Sequence, residues 1–385
     1  MDPRLAFLGV VAAAFLPFLA VGAALPVLPR YVRGPLDAGD LEVGLVIGAF
    51  AFSAVVARPL AGRLADAHGR RTVVAAGAAL AAVAGALYFV PAGVLGLMVA
   101  RLVLGVGDGF VFTAGATWTV DLSPADRRGQ AIGLFGLAIW SGLAAGPLIG
   151  EALLHVGGYD LVWAFAAVSP AAGALLARRL PDPHVPDPDL SPVELLPRAA
   201  RVPGVALALG NVGYAALNGF VVLHLAERGI GHGAAVFSAF AAAVISLRLL
   251  GGRLPDRFGP RPSALVAFGA EAAGLLLVGL ATAWWTAVIG AIVMGGGFSL
   301  LFPALALMVV DDVPPERRGT VMGAFTAFFD AGVGLGAVMA GAISSAAGYP
   351  AAYWAAAGCA AVGGLAVASL PRPRARVPAR VRVGA

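Results

Sequence analysis

Arg101, Asp108, Glu271 and Asp330 are among the ionisable side chains that stand inside apolar runs of the sequence. A charge in hydrocarbon is costly, so each needs a partner or a function. The chemistry open to a carboxyl group in such a place is to take up and release a proton. Desolvation favours its neutral form, and a nearby cation favours the carboxylate. Arg101 and Asp108 are seven residues apart, so they share one helix face at about 10 Å along the axis. Gly105 lies on the same stripe and leaves room beside them. Asp330 has no basic residue within two turns of its own helix. Five scattered His and one Cys offer no nucleophile–base pair and no metal-ligand cluster.

The surroundings of these groups follow from composition. The chain of 385 residues is 60% hydrophobic and 12% charged, with a mean hydropathy of +0.89. That excludes an ordinary soluble protein and points to apolar runs of roughly 20 residues that each cross a bilayer. The runs lack the alternation of a lipid-facing strand, so only helices fit. Lys is absent, and all 26 basic residues are Arg. The pI near 10.0 could suggest nucleic acid. Arginines confined to short loops fit the positive-inside bias better. Cys359 lies inside an apolar run, so no disulfide forms within the chain. The run GVGDG around Asp108 has no preceding strand and is no dinucleotide loop.

Twelve helices are expected, at about Leu5–Leu28, Leu41–Ala61, Thr72–Val90, Gly93–Val120, Ala131–His155 and Leu161–Ala177. The second set is Val205–Leu225, Ala234–Leu250, Ser263–Ala283, Trp284–Val310, Thr320–Ala346 and Ala351–Leu370. Residues 1–177 thus form one six-helix bundle and residues 203–370 another. A linker at 178–202, too rich in Pro for a membrane helix, joins them. An Arg-rich tail follows at 371–385. The first run could pass for a secretory signal, but its counterpart at Val205–Leu225 argues for an uncleaved helix. Arg30, Arg33 and Arg228 fall opposite the termini, and Arg58, Arg101 and Arg248 fall within helices. The remaining arginines share the side of the termini, which makes both termini cytoplasmic and the location a plasma (inner) membrane.

The two bundles are copies. GRLADAHGRR at Gly62–Arg71 returns as GRLPDRFGPR at Gly252–Arg261, an offset of 190 residues. PADRRG at Pro124–Gly129 returns as PPERRG at Pro314–Gly319, and Gly158-Tyr159 as Gly348-Tyr349. A polar residue present in both copies should serve packing, topology or gating, and one present in a single copy is the better candidate for substrate or proton work. Arg58 and Arg248 are a pair near helix ends, and snorkelling makes them structural. Arg101 and Asp108 correspond to Ala291 and Phe298. Asp330 corresponds to Trp140 and Glu271 to Ala81. Asn211, Tyr214 and Asn218 correspond to Val21, Ala24 and Leu28.

Two six-helix halves, a long central loop and GRLADAHGRR after the second helix together resemble the major facilitator superfamily. The family pattern Gly-x-x-x-Asp-Arg-x-Gly-Arg-Arg falls on Gly62, Asp66, Gly69, Arg70 and Arg71, with Ala67 where the first Arg is usual. The second copy keeps Asp256 and Arg257 and has Pro260 where an Arg is expected. The resemblance implies a cytoplasmic latch that joins Asp66 and Arg70 to Asp121 and Asp66 to the amino end of the eleventh helix. Gly133, Gly142, Gly146, Pro147 and Gly150 in the fifth helix resemble the signature of the superfamily's antiporters, with Glu151 in place of its last Gly. Small residues allow close approach, and Pro147 bends the helix, which should shape the contact between halves. PVLPRY at Pro26–Tyr31 resembles the first-helix ending of twelve-helix drug:proton antiporters. Arg101, Gly105 and Gly107 resemble the fourth-helix motif Arg-x3-Gly-x-Gly.

The reading is an all-α polytopic carrier that exports small organic molecules in exchange for protons by alternating access. By the superfamily's layout the first, fourth, seventh and tenth helices line the cavity. Arg101, Asp108, Asn211, Tyr214 and Asn218 then face it, with Phe110, Trp118, Phe298 and Phe302 as apolar lining. Because the fourth helix is a cavity helix, Asp108 ranks first as proton carrier, Asp330 second and Glu271 third. The alternatives are a proton-coupled importer on the same fold and, from another class, an intramembrane enzyme or a receptor. The expected partners are a small-molecule substrate, protons and the lipid bilayer, with the protein acting as a monomer. No cofactor, metal or nucleic acid is expected.

Overall fold

A computed structural model describes residues 2–124, 128–183, 198–251, 254–310 and 318–370. Most of the linker prolines, Pro314–Arg317, Gly252, Arg253 and the tail at 371–385 lie outside the described residues, as does the side chain of Asp256. The helices are α1 (Pro3–Ala24), α2 (Val27–Arg33), α3 (Asp40–His68), α4 (Arg70–Leu87), α5 (Gly93–Asp121), α6 (Arg128–Arg178) and α7 (Arg198–Glu227). There follow α8 (Gly233–Gly251), α9 (Leu254–Phe258), α10 (Pro260–Leu280), α11 (Trp284–Val310), α12 (Arg318–Ala347) and α13 (Tyr349–Ser369).

Eleven of these segments are long and apolar enough to cross a membrane. One of them, Ala131–Arg178, has 48 residues, and at 1.5 Å per residue it would run about 72 Å, twice what a bilayer needs. Its helical path breaks at Gly157 (φ −140°) and Gly158 (φ 67°). Split there, α6 is two spans, and the described residues hold the expected twelve.

The break also shows the repeat in the backbone. Gly158 has φ 67° and its counterpart Gly348 has φ 81°. Gly69 and Gly259 have φ 91° and 89°. L side chains rarely adopt this region, so glycine ends one helix and starts the next at the same point of each copy. Packing repeats as well: α1 lies against α6 as α7 lies against α12, and α4 against α5 as α10 against α11. The charged island at Gly62–Arg71 is not the loop its composition suggested. It forms the last turns of α3 and the first of α4, and the turn is Gly69 alone.

The antiporter-like glycines do not face the other half. A Cβ on Gly146 would lie 2.6 Å from backbone atoms of Gly22 and Ala23, and one on Gly142 would lie 2.9 Å from the Leu19 nitrogen. These glycines, with Gly150, seat α6 on α1 of the same half, and Gly133 meets nothing within 4 Å. The expected role of this motif at the junction of the halves is therefore corrected. Gly332 and Gly336 of α12 make the matching seam with Ala208 and Val212 of α7.

The halves meet where α3 packs on α12 and α8 on the first arm of α6. At the end opposite the termini the α3–α12 contact is backbone to backbone. A Cβ on Gly48 would lie 2.8 Å from the Gly334 carbonyl, and one on Gly44 would press on Ala337 and Gly341. The Tyr349 hydroxyl donates to Asp40 Oδ1 at 2.9 Å across the same end. That end is shut.

Gly146→Ala should lower the thermal stability of the solubilised protein, because added volume at a packed site costs about 1–3 kcal/mol. Gly133→Ala should leave it unchanged or raised, since the site is open and Ala is the better helix former. Equal melting temperatures for the two variants would disprove the α1–α6 seam.

Candidate functional site

Three helices deliver three charges to one point: Arg58 from α3, Asp108 from α5 and Asp330 from α12. Asp108 stands about 22 Å along α5, near its middle. The Arg58 guanidinium donates from Nε and Nη2 to the two carboxylate oxygens of Asp330, the second bond at 3.0 Å. The same Nη2 lies 3.7 Å from Asp108 Oδ2. The Phe112 ring covers the guanidinium, with its centroid 4.4 Å away. Side-chain exposures of 12%, 5% and 4% for Arg58, Asp108 and Asp330 remove the cluster from bulk water. An arginine fork matches a carboxylate in plane, so the pair is specific as well as strong. Breaking one partner of such a pair strands a charge.

This geometry corrects two readings of the sequence. Arg58 is not a snorkelling scaffold residue, because it turns inward and bridges the two halves. Asp330 is not isolated, because its cation comes from α3 rather than from its own helix. Pairing by the repeat went wrong at Arg58 because equal residues in the two copies can face unequal partners.

The other predicted residues divide. Arg101 is 1% exposed, donates from Nε to the Val46 carbonyl at 3.3 Å and stacks over Phe50. It makes no ion pair with Asp108, though the two interact electrostatically. Tyr214 of α7 and Phe298 of α11 join Trp140 of α6 and Phe240 of α8 in one aromatic cluster, with centroids 5.3–6.2 Å apart. Tyr214 also lies within electrostatic reach of Asp108 and Arg101. Phe302 of α11 packs on Phe325 of α12. Asn211 is fully buried and bonds back to the Leu207 carbonyl, while its Oδ1 and that of Asn218 have no partner among the described residues. Glu271 is also fully buried, between Gly210 and Gly213 of α7, and among the described residues neither of its oxygens has a partner. It joins none of the other charges among the described residues.

Phe110 and Trp118 are corrected as lining. Phe110 packs against Gly77 of α4, and the Trp118 indole donates to the Pro181 carbonyl at 3.2 Å, inside the first half. At the end of the termini Arg70 pairs with Asp66 and with Asp121, the latter at 3.1 Å. Gly62 is unobstructed, and the exposed Arg257 stacks on Phe258. Three features escaped the sequence reading. Asp182 accepts from the Arg71 nitrogen at 2.9 Å and so caps α4. Glu151 takes both its oxygens to Arg30 at 2.9 Å, which accounts for its place in a glycine motif. Trp140 was visible only as the counterpart of Asp330.

A family model described as the Major Facilitator Superfamily matches residues 10–254 and again 205–384. The chain belongs to that superfamily. An "uncharacterized MFS-type transporter" of Salmonella typhimurium is 34% identical over 342 residues, covering 86% of this chain and 87% of the relative. One from Burkholderia mallei is 34% identical over 355 residues, covering 88% and 87%. Among solved structures, the nucleoside transporter NupG superposes with a TM-score of 0.76 at 17% identity, covering 96% of this chain and 98% of that one. A bacterial homologue of the lysosomal transporter Spinster, inward-facing and unoccupied, gives 0.73 at 18% identity and covers 95% of each. As a major facilitator the chain is a multi-pass membrane transporter of a small molecule and not an enzyme.

A double-mutant cycle checks the bridge. Arg58→Gln and Asp330→Asn should show a coupling of about 1–3 kcal/mol in thermal or denaturant stability. Arg58→Gln with Asp108→Asn should couple more weakly, in keeping with the longer contact. Additive effects for Arg58 and Asp330 would mean that the pair does not hold the halves.

Proposed function

We propose that the protein is a proton-driven exporter of small organic molecules, and that the Arg58 cluster is where proton binding controls the contact between halves. The observation that carries this reading is a single arginine shared by two buried acids, one in each half. A proton arriving on Asp330 removes the charge that holds Arg58 across the junction. Asp108, 3.7 Å from the same guanidinium, then takes it within the first half. The halves are freed to rock, and the return of Arg58 to Asp330 expels the proton. The geometry favours Asp330 over Asp108 as the group that couples protonation to opening, while Asp108 holds the arginine in the alternative state.

The far end is sealed by α3 and α12, which fits a cavity that opens toward the termini. With both termini, and the Arg-rich C-terminal tail, in the cytoplasm of a bacterial cell, that is an inward-facing state. Asp66, Arg70 and Asp121 then act as the latch on that side. Outward direction rests on the likeness of Gly133, Gly142, Gly146, Pro147 and Gly150 to the antiporter signature, and the protein is taken to work as a monomer.

Everted vesicles with an imposed pH gradient test the proposal. Asp330→Asn should abolish gradient-driven transport and keep downhill exchange, and Asp108→Asn should slow both. If both single variants still pump at the wild-type rate, neither acid couples to the proton and Glu271 becomes the candidate.

A further inference from the structure

Arg248 occupies in the second half the place that Arg58 holds in the first, but its surroundings are changed. Asp330, which grips Arg58 from the opposite half, corresponds to Trp140. Asp108, the second acid, corresponds to Phe298. The structure carries out this substitution in space: the Arg248 guanidinium lies over the Trp140 ring, 5.4 Å from its centroid, where Arg58 would find a carboxylate. Its Nε is buried and has no hydrogen-bond partner among the described residues. Among the described residues no carboxylate pairs with Arg248 or comes within electrostatic reach of it.

A half-buried guanidinium without a counter-charge among the described residues is costly, and a ring face offsets only part of that cost. The neighbouring cations sharpen the imbalance. Arg58 has two acids, and Arg101 has Asp108 within reach. Of the three, only Arg248 is left without an anion among the described residues. The Trp140 ring beneath it is packed in turn against Tyr214, Phe240 and Phe298, so the four rings come from four helices and both halves. Trp140 is the one ring of the four contributed by the first half, so the rocking of the halves would lift it from the arginine.

We propose that Arg248 and these four rings form the substrate site, and that the substrate is an organic monoanion with a flat apolar body. The anionic group takes the fork of Arg248, left vacant because the second half lacks the acids that the first half supplies. The apolar body takes the room that Trp140 gives up and lies against Tyr214, Phe240 and Phe298. The site spans the junction, as a carrier's site must if its two faces open in turn. This rests on the reading of the chain as a carrier and does not need the proton step at Arg58. An anionic lipid headgroup with its chains offers the same chemistry as a free aromatic acid.

Titration calorimetry on the purified full chain, in discs of zwitterionic lipid, tests the site with three probes of one shape. These are naphthalene-2-sulfonate, the neutral naphthalene-2-sulfonamide and the 2-naphthyltrimethylammonium cation. The sulfonate should bind best. Arg248→Gln should weaken it by about tenfold or more, and Arg248→Lys should restore part of the loss. Trp140→Ala should alter sulfonate affinity with the melting temperature kept as a control of folding. Asp330→Asn should retain sulfonate binding even where it stops pH-driven transport, which separates failure of this site from failure of the proton reading. Competition from discs that contain phosphatidylglycerol would assign the anion to a lipid, and its absence to a free acid. Preference for the cation, or unchanged sulfonate binding in a folded Arg248→Gln protein, overturns the proposal.

Discussion

An ion inside a membrane protein must find its counter-charge among the helices around it, since neither water nor salt can screen it. This constraint governs the junction of the two halves. Arg58 is held by Asp330 across the junction and by Asp108 beside it. The three groups come from α3, α12 and α5, so the local charge balance depends on how the halves sit. Tight glycine contacts between α3 and α12 shut one end of the molecule, and the ion pair lies further along the same two helices. Packing sets the closed geometry. The charges give it a means of release.

The internal repeat makes the second consequence visible. Duplication supplied each half with an inward arginine, and divergence changed what faces it. One arginine meets two carboxylates, and the other lies over Trp140, which packs on Phe298. An ion pair that a proton can break suits a coupling device. An aromatic surface under a lone cation suits a bound anion. On this account a single ancestral position has separated into a coupling role and a binding role.

Much of this was legible in the chain. Hydropathy and the 190-residue repeat gave the helix count and the two halves, and Gly158 with Gly348 marked a turn that the near-continuous helical path of α6 would otherwise hide. The rarity of charge in apolar runs drew attention to Asp108, Asp330 and Arg101. Two things could not be read. A contact between helices 272 positions apart, as between Arg58 and Asp330, has no periodic trace in sequence. The glycines of the antiporter-like motif announce a close approach but do not say to which helix, and their partner proved to be α1. Comparing the copies for differences around a shared residue, rather than for the residue itself, would have found both Arg58 and Arg248.

The central claim is that protonation at the Arg58 cluster loosens the contact between halves. Pulsed electron paramagnetic resonance can measure it on a Cys359→Ala background, with spin labels on the exposed residues Leu41 and Ser345 at the closed end. In wild type, lowering the pH should transfer population from a short to a longer distance. In Asp330→Asn the longer distance should be populated at every pH, with the pH response lost. A distance that ignores both pH and the substitution would contradict the account.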